Sequence, residues 1–213
     1  MGADVPKQYL RLGSCTLLEH SVRALMSDPR IARVAVVVSR SDLWAAQLAL
    51  PDQVRLLPVG GSSRAQSVLH GLRALSDEVE ANDRVLVHDA ARPCLEAQDL
   101  SALIDAVGTQ DAGGLLAAPL ADTLKRADGD SVIGTVDRQG LWRAQTPQLF
   151  AFGILRRALE SCADLDAITD ESSAVERLGI RPRLVMAVGP NPKVTTPSDW
   201  PLAEAVLKAQ GRW

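Results

Sequence analysis

The chain has 213 residues, 46% of them hydrophobic but only 3% aromatic, and a formal charge of −3, which fits one domain with a core of Leu, Val and Ala and gives no basic footprint for nucleic acid. Cys15, Cys94 and Cys162 are odd in number and widely spaced, which points away from a disulfide framework or a zinc site and suits a reducing cytoplasm. No apolar run approaches the roughly 20 residues that span a bilayer, and the opening residues carry no signal-peptide pattern, so no membrane partner is expected.

The opening, Met1-Gly2-Ala3-Asp4-Val5-Pro6-Lys7-Gln8-Tyr9-Leu10, reads as a loop, with a proline that disfavours helix just before it. Thr16 and Glu19 then stand at capping-box spacing, and Leu18, Val22, Leu25 and Met26 recur at helical intervals until Asp28-Pro29 stops the run. Residues 32–39 are rich in valine and read as a strand buried on both faces. A short helix over 42–48, a strand over 54–58 and a helix over 64–75 continue the alternation. The apolar residues 85–87 make the next strand, Leu100, Leu103, Ile104 and Val107 mark a helix, and residues 114–119 another strand. This alternation predicts an α/β fold with a doubly wound, mostly parallel sheet.

Between residues 120 and 150 the pattern turns short and polar, with Asp128-Gly129-Asp130 and Arg138-Gln139-Gly140 as turn signals. This reads as an extended hairpin arm. It has too little apolar surface to stand alone in water, so it is expected to pack against another subunit. Helices over 154–159 and 171–178, a strand over 183–188 and a last helix opened by Thr196-Pro197-Ser198-Asp199 complete the chain. No repeat or linker divides it, so residues 1–213 are expected to form one domain.

Chemistry gathers at three strand ends. In Val85-Leu86-Val87-His88-Asp89-Ala90-Ala91-Arg92-Pro93 an apolar run breaks into charge, and in an open α/β sheet ligands collect outside such carboxyl ends. Asp89 could hold a divalent cation while Arg92 grips a phosphate; the two could equally form a local pair that fixes a turn. The loop Val59-Gly60-Gly61-Ser62-Ser63-Arg64 joins a strand to a helix. It is either a tight turn or a place where backbone amides meet a nucleotide, and it matches neither a P-loop nor a dinucleotide fingerprint. In Asn191-Pro192-Lys193-Val194-Thr195 a lysine and a hydroxyl follow a strand, as a surface turn or as part of a site.

Taken together, Pro6-Lys7-Gln8-Tyr9-Leu10, Gly60-Gly61-Ser62-Ser63-Arg64, His88-Asp89-Ala90-Ala91-Arg92-Pro93, Thr135-Val136-Asp137-Arg138, Thr146-Pro147-Gln148, Ile168-Thr169-Asp170-Glu171 and the 191–195 stretch follow the order and spacing of a known family. From residue 1 to about residue 207 the chain closely resembles the 2-C-methyl-D-erythritol 4-phosphate cytidylyltransferases of the non-mevalonate isoprenoid pathway. The resemblance implies a Rossmann-like nucleotidyltransferase fold, a cytoplasmic homodimer joined through the arm, and transfer of CMP from CTP to a sugar-alcohol phosphate with release of pyrophosphate. It implies Mg²⁺ held mainly by Asp89, catalytic roles for Lys7, Asp89 and Lys193, and CTP contacts from Gly60, Gly61, Ser62 and Ser67. For the acceptor it implies Arg92, Thr146, Thr169 and Thr195, with Thr123 and Arg138 supplied across the dimer. The attacking phosphate is already ionised, so His88 is not needed as a base and Cys94 is expected to be an inert buried thiol.

Two departures accompany the resemblance. Family members carry, before the Pro-Lys motif, a first strand, central in the sheet, and a glycine-rich loop with a basic residue; here Met1 falls where that loop would be ending. Either the start is internal to a longer natural chain, or the chain folds without that strand, with apolar edges unpaired and turnover impaired. Ser62 stands where the family often has Asp. The alternatives to the family reading are a related enzyme acting on another alcohol phosphate, such as ribitol phosphate, and a non-catalytic dimer.

Overall fold

The computed structural model describes residues 5–108 and 112–213; residues 1–4, the start of the expected loop, lie outside the described residues. Past Pro6 the chain winds one 3-10 turn, Lys7–Tyr9, where a loop was expected. Tertiary contacts hold it. Tyr9 is buried, its ring stacks on Trp44 with centroids 6.4 Å apart, and its hydroxyl donates to Asp42 Oδ2 at 2.6 Å. Two short strands, β1 (Arg11–Leu12) and β2 (Cys15–Thr16), lead into helix α1 (Leu17–Leu25). The capping box forms as its spacing predicts: Glu19 N donates to Thr16 Oγ1 at 3.2 Å and Thr16 N to Glu19 Oε2 at 2.7 Å.

Strand β3 (Val34–Val37) follows, and the short helix expected over 42–48 is a single 3-10 turn, Ala45–Gln47. Asp42 Oδ1 accepts from the amides of Trp44 and Ala45, and Pro51 lies too close for a second turn to form. Then come β4 (Val54–Leu57), α2 (Arg64–Ala74), β5 (Arg84–Val87), α3 (Ala97–Ala106) and β6 (Gly113–Pro119). A hairpin of β7 (Leu124–Asp128) and β8 (Ser131–Val136) leads to β9 (Trp142–Ala151), α4 (Phe152–Glu160), α5 (Glu171–Glu176) and β10 (Arg183–Met186). A 3-10 turn, Pro197–Asp199, opens the last helix, α6 (Trp200–Ala209).

The α/β class holds, and the sheet is mixed. Its order is β10-β6-β9-β5, with β10 parallel to β6, while β9 runs antiparallel to both β6 and β5. Strand β9 also corrects the arm. Residues 142–150 fell inside the segment expected to protrude over 120–150, yet 145–150 are buried in the main sheet, so the protrusion is β7, β8 and their flanks. Polar Gln145 and Gln148 hid the strand, because they are buried against partners far along the chain. Gln148 Oε1 accepts from Ser172 N at 2.8 Å, and Gln145 Oε1 from Asn191 Nδ2 at 3.2 Å.

Helices cover the sheet on two faces, as in a doubly wound fold. On one, α3 closes over Leu116, Leu149 and Val185; on the other, α2 and α4 close over Phe150. Strands β3 and β4 pair in parallel as a separate ribbon. Strand β3 alternates, with Val34 and Val36 buried and Ala35 exposed, where burial on both faces was expected. Helices α1 and α2 bridge the ribbon to β5. Leu18 and Val22 pack with Val34 and Val36, while Ala24 packs with Leu95 and Leu100. Gly71 of α2 lies so near Val37 that an added Cβ would come within 2.7 Å of its side chain, while Leu69 and Leu72 pack with Phe150. Among the described residues no strand joins β3 to β5, and all four residues of β5 are only half-buried.

Candidate functional site

Strand β5 delivers His88 and Asp89 to the carboxyl end of the sheet, beside Thr146 on β9. The polar bonds there run in one direction. His88 Nε2 donates to the Arg92 carbonyl at 3.0 Å, so Nδ1 carries no proton and accepts from Thr146 Oγ1 at 3.1 Å. Thr146 Oγ1 in turn accepts from Asp89 N at 3.0 Å. Burial pushes His88 down to about 4, against the pull of the Arg92 carbonyl and the Asp89 charge. It stays neutral at neutral pH and serves as a hydrogen-bonding spacer, as expected.

Asp89 lies at the centre of a charge cluster. Its Oδ1 accepts from Arg64 Nε at 2.7 Å, and its Oδ2 lies 2.9 Å from Lys193 Nζ and 3.8 Å from Arg92 Nε. Burial opposes ionisation of Asp89, whose side chain is 10% exposed, but Arg64 and Lys193 outweigh it and hold the carboxyl at about 2. Arg64 continues to Glu171, the first residue of α5. Its Nη1 and Nη2 donate to Glu171 Oε1 and Oε2 at 2.6 and 3.0 Å, a bidentate pair. Burial raises Glu171 and works against the charge of Arg64, whose ionisation is nonetheless reinforced by Glu171 and Asp89. Neither residue was assigned a role from sequence. Arg64 was visible only as the last residue of the glycine loop, and nothing local marks Glu171 as buried.

The 191–195 stretch is tied to the turn after β5 at two points. Val194 N donates to the Ala91 carbonyl at 2.8 Å and Arg92 Nη1 to the Asn191 carbonyl at 2.7 Å. Burial lowers the ionisation of Arg92, and its Nε is a buried donor without a hydrogen-bond partner among the described residues. Asn191 Oδ1 is a buried acceptor in the same condition. Unpaired buried polar groups of this kind are costly and call for an explanation.

The glycine loop has the internal bonding of a tight turn, the first of its two readings. Gly60 N donates to Val38 O at 2.8 Å, Gly61 N to Ser67 Oγ at 3.0 Å, and Ser62 N to Gln66 Oε1 at 3.2 Å. Its amides are taken up inside the protein, just past the end of β3 and by α2. Ser67 Oγ also donates to Ser63 O at 2.9 Å. The two glycines are required by close packing: a Cβ at Gly60 would lie 2.8 Å from Val38 O, and one at Gly61 2.5 Å from Gln66 Cβ. The carbonyls at its two ends are engaged as well, Val59 O by His70 Nδ1 at 2.9 Å and Ser63 O by Ser67.

The remaining candidates are dispersed. Lys7 sits half-buried on the first 3-10 turn. Thr169 is exposed and donates to Ser173 Oγ at 3.4 Å. Thr195 turns away, donating through both N and Oγ1 to Asp199 Oδ2 at 2.8 Å. Thr123 and Arg138 are exposed on the arm, where Arg138 donates to the Ala121 carbonyl, and among the described residues neither shares a bond with the Asp89 cluster. The hydroxyl proton of Thr146 is committed to His88, which leaves an oxygen lone pair and no donor for a phosphate.

No group of three or more His, Cys, Asp or Glu side chains that could cage a metal exists among the described residues. A single carboxylate does fit a Mg²⁺ ion that arrives on phosphates and keeps its waters. No helix is long and apolar enough to cross a membrane.

The model of the 2-C-methyl-D-erythritol 4-phosphate cytidylyltransferase family matches residues 1–209. A cytidylyltransferase of that name from Laribacter hongkongensis is 53% identical over 210 residues, 97% of this chain and 90% of the relative. A crystal structure of 4-diphosphocytidyl-2C-methyl-D-erythritol synthase superposes with a TM-score of 0.88 at 44% identity, covering 94% of each chain. The corresponding cytidylyltransferase of Francisella tularensis superposes at 0.85 with 32% identity, over 96% of this chain and 94% of that one.

Proposed function

The chain belongs to the 2-C-methyl-D-erythritol 4-phosphate cytidylyltransferase family, and from that premise we propose that the Asp89 cluster is where CMP passes from CTP to the phosphate of 2-C-methyl-D-erythritol 4-phosphate, with release of pyrophosphate, in isoprenoid precursor synthesis. The observation that carries this reading is the convergence of Arg64, Arg92 and Lys193 on one carboxylate at a strand end. The attacking phosphate and the α-phosphate are both anions, so the site needs fixed cations and aligned reactants more than a proton acceptor.

Each side chain has a task in this reading. Lys193, exposed at its tip and pinned at its backbone by Val194 N on Ala91 O, turns from Asp89 to the α-phosphate as charge builds there. Lys7 approaches the triphosphate from the 3-10 turn that Tyr9 and Trp44 hold in place. Arg92, short of partners at Nε, takes the acceptor phosphate, with Thr169 as a further acceptor contact. The loop of residues 60–63, braced by Gln66 through Ser62, meets the cytosine. Asp89 is the residue that would hold Mg²⁺, which supplies charge neutralisation on the phosphates when bound. The neutral His88 and Thr146 keep the Asp89 backbone in register.

A homodimer follows from the arm. Val132 and Ile133 on β8 are 63% and 61% exposed, which suits burial against a second copy and brings Thr123 and Arg138 to the neighbour's acceptor. The protein works in the cytoplasm, where its three free thiols remain reduced. Pyrophosphate release from CTP and Mg²⁺, compared with 2-C-methyl-D-erythritol 4-phosphate and ribitol 5-phosphate as acceptors, tests the reading. Turnover with the first and little with the second is expected; the reverse preference would transfer the chain to the other alcohol phosphate.

A further inference from the structure

We infer that Arg64 is a positioning residue that keeps Asp89 occupied until nucleotide-borne Mg²⁺ replaces it, and that Glu171 is the counter-charge onto which Arg64 then withdraws. The inference rests on the proposed meeting of Asp89 with the metal.

Both Asp89 oxygens already carry a cation, Arg64 Nε on Oδ1 at 2.7 Å and Lys193 Nζ on Oδ2 at 2.9 Å. A metal ion arriving at either oxygen is repelled by the cation already there, and its binding is favoured when that cation leaves. The departure of Lys193 is easy, because its side chain is 42% exposed and phosphate offers it an equal partner. It frees Oδ2 alone. Arg64 is held differently: one contact to Asp89 and two to Glu171, which is almost wholly buried. A guanidinium with a bidentate grip on one carboxylate keeps most of its pairing when its single contact to another breaks. Without Glu171, leaving Asp89 would strand the charge of Arg64 in a partly desolvated site, and the exchange would be prohibitive.

Position gives the arrangement a purpose. Arg64 is the first residue of α2, directly after the 60–63 loop, while Asp89 lies two residues past the end of β5 and Glu171 opens α5. One side chain therefore links the nucleotide loop, the metal carboxylate and the helix that follows Thr169. A ligand that shifts the loop shifts Arg64, and whatever takes Oδ1 shifts the loop. Nucleotide and metal are coupled through it, each favouring the other by the same factor.

Calorimetric titration of CTP into the protein, once with Mg²⁺ and once with EDTA, measures that coupling as the ratio of the two dissociation constants. In the charge-neutral double variant Arg64→Gln with Glu171→Gln, Asp89 loses its competitor without leaving a buried charge, and the ratio is expected to rise about tenfold over the unaltered protein. In Glu171→Gln alone Arg64 has only Asp89 to pair with, and the ratio is expected to fall. A purely structural role moves both constants together and leaves the ratios unchanged, which would overturn the inference. If the double variant does not fold, the single one decides, since an unchanged or larger ratio there is equally fatal. The underlying reading fails separately: an unaltered protein that binds no CTP, or whose affinity ignores Mg²⁺, or an Asp89→Asn variant that keeps the Mg²⁺ enhancement, removes Asp89 from the metal site altogether.

Discussion

At Asp89 burial opposes the charge that three neighbouring cations demand, and the cations prevail. Replacing it by Asn preserves shape and the backbone bond to Thr146 but removes the charge. Turnover is expected to fall at least about a hundredfold, roughly 3 kcal/mol of transition-state stabilisation, as for loss of one preorganised electrostatic group. Pyrophosphate release at saturating Mg²⁺ measures it, and near-normal rates would remove Asp89 from the chemistry. His88 supplies a second prediction at this scale. Its folded value of about 4 lies below the unfolded value of 6.5, so between them the unfolded chain binds a proton that the folded chain refuses. Stability is therefore full above about 6.5 and declines as pH falls toward 4, by on the order of 1–3 kcal/mol, since the residue as a whole is only half-buried. Melting curves at pH 7 and 4.5 should show a smaller decline in His88→Asn than in the unaltered chain; equal declines would mean that another group titrates.

Strand β5 is bonded to β9 on one edge and to no strand on the other among the described residues, and β3 is in the same position beyond β4. Amides on an open edge exchange with solvent through small fluctuations, whereas those of a strand paired on both sides wait for larger opening. Hydrogen exchange should thus be faster at alternate amides of Arg84–Val87 than throughout β6, which is paired on both sides. Uniform protection of β5 would show that something covers its edge in solution. The elements whose cause is local were legible from sequence: the Thr16 capping box and the apolar run of β6 both form where spacing put them. Strand β9 was not, because its polar residues are satisfied by Ser172 and Asn191, which no local pattern reveals. The same divide runs through the site. Asp89, Arg92 and Lys193 could be read as charges at strand ends, whereas the pairing of Arg64 with Glu171 spans 107 residues and exists only in the fold. The glycines of the 60–63 loop could be read either as a tight turn or as an opening for a nucleotide, and only the close approach of Val38 and Gln66 gives them their packing reason.

At the scale of the whole molecule the arm raises the question of where one active site ends. Thr123 and Arg138 share no bond with the Asp89 cluster of their own chain among the described residues, while the arm exposes Val132, Ile133, Leu141 and Trp142. In a twofold dimer each arm reaches the other subunit, so every site would combine Asp89 from one chain with Arg138 from its partner. Complementation tests this arrangement. Asp89→Asn spoils the site of its own subunit, and Arg138→Ala spoils that of its neighbour. In a dimer of one chain of each kind, one site receives both defects and the other receives none. Co-refolding equal amounts of the two inactive proteins makes about half of the dimers mixed, each with one intact site, so about a quarter of the unaltered activity should return. Acceptor saturation of the recovered activity should match the unaltered enzyme, because the surviving site is complete. No recovery, with mixed dimers demonstrated by differential tagging, would mean that both residues serve one subunit or that the arm plays no part in acceptor binding.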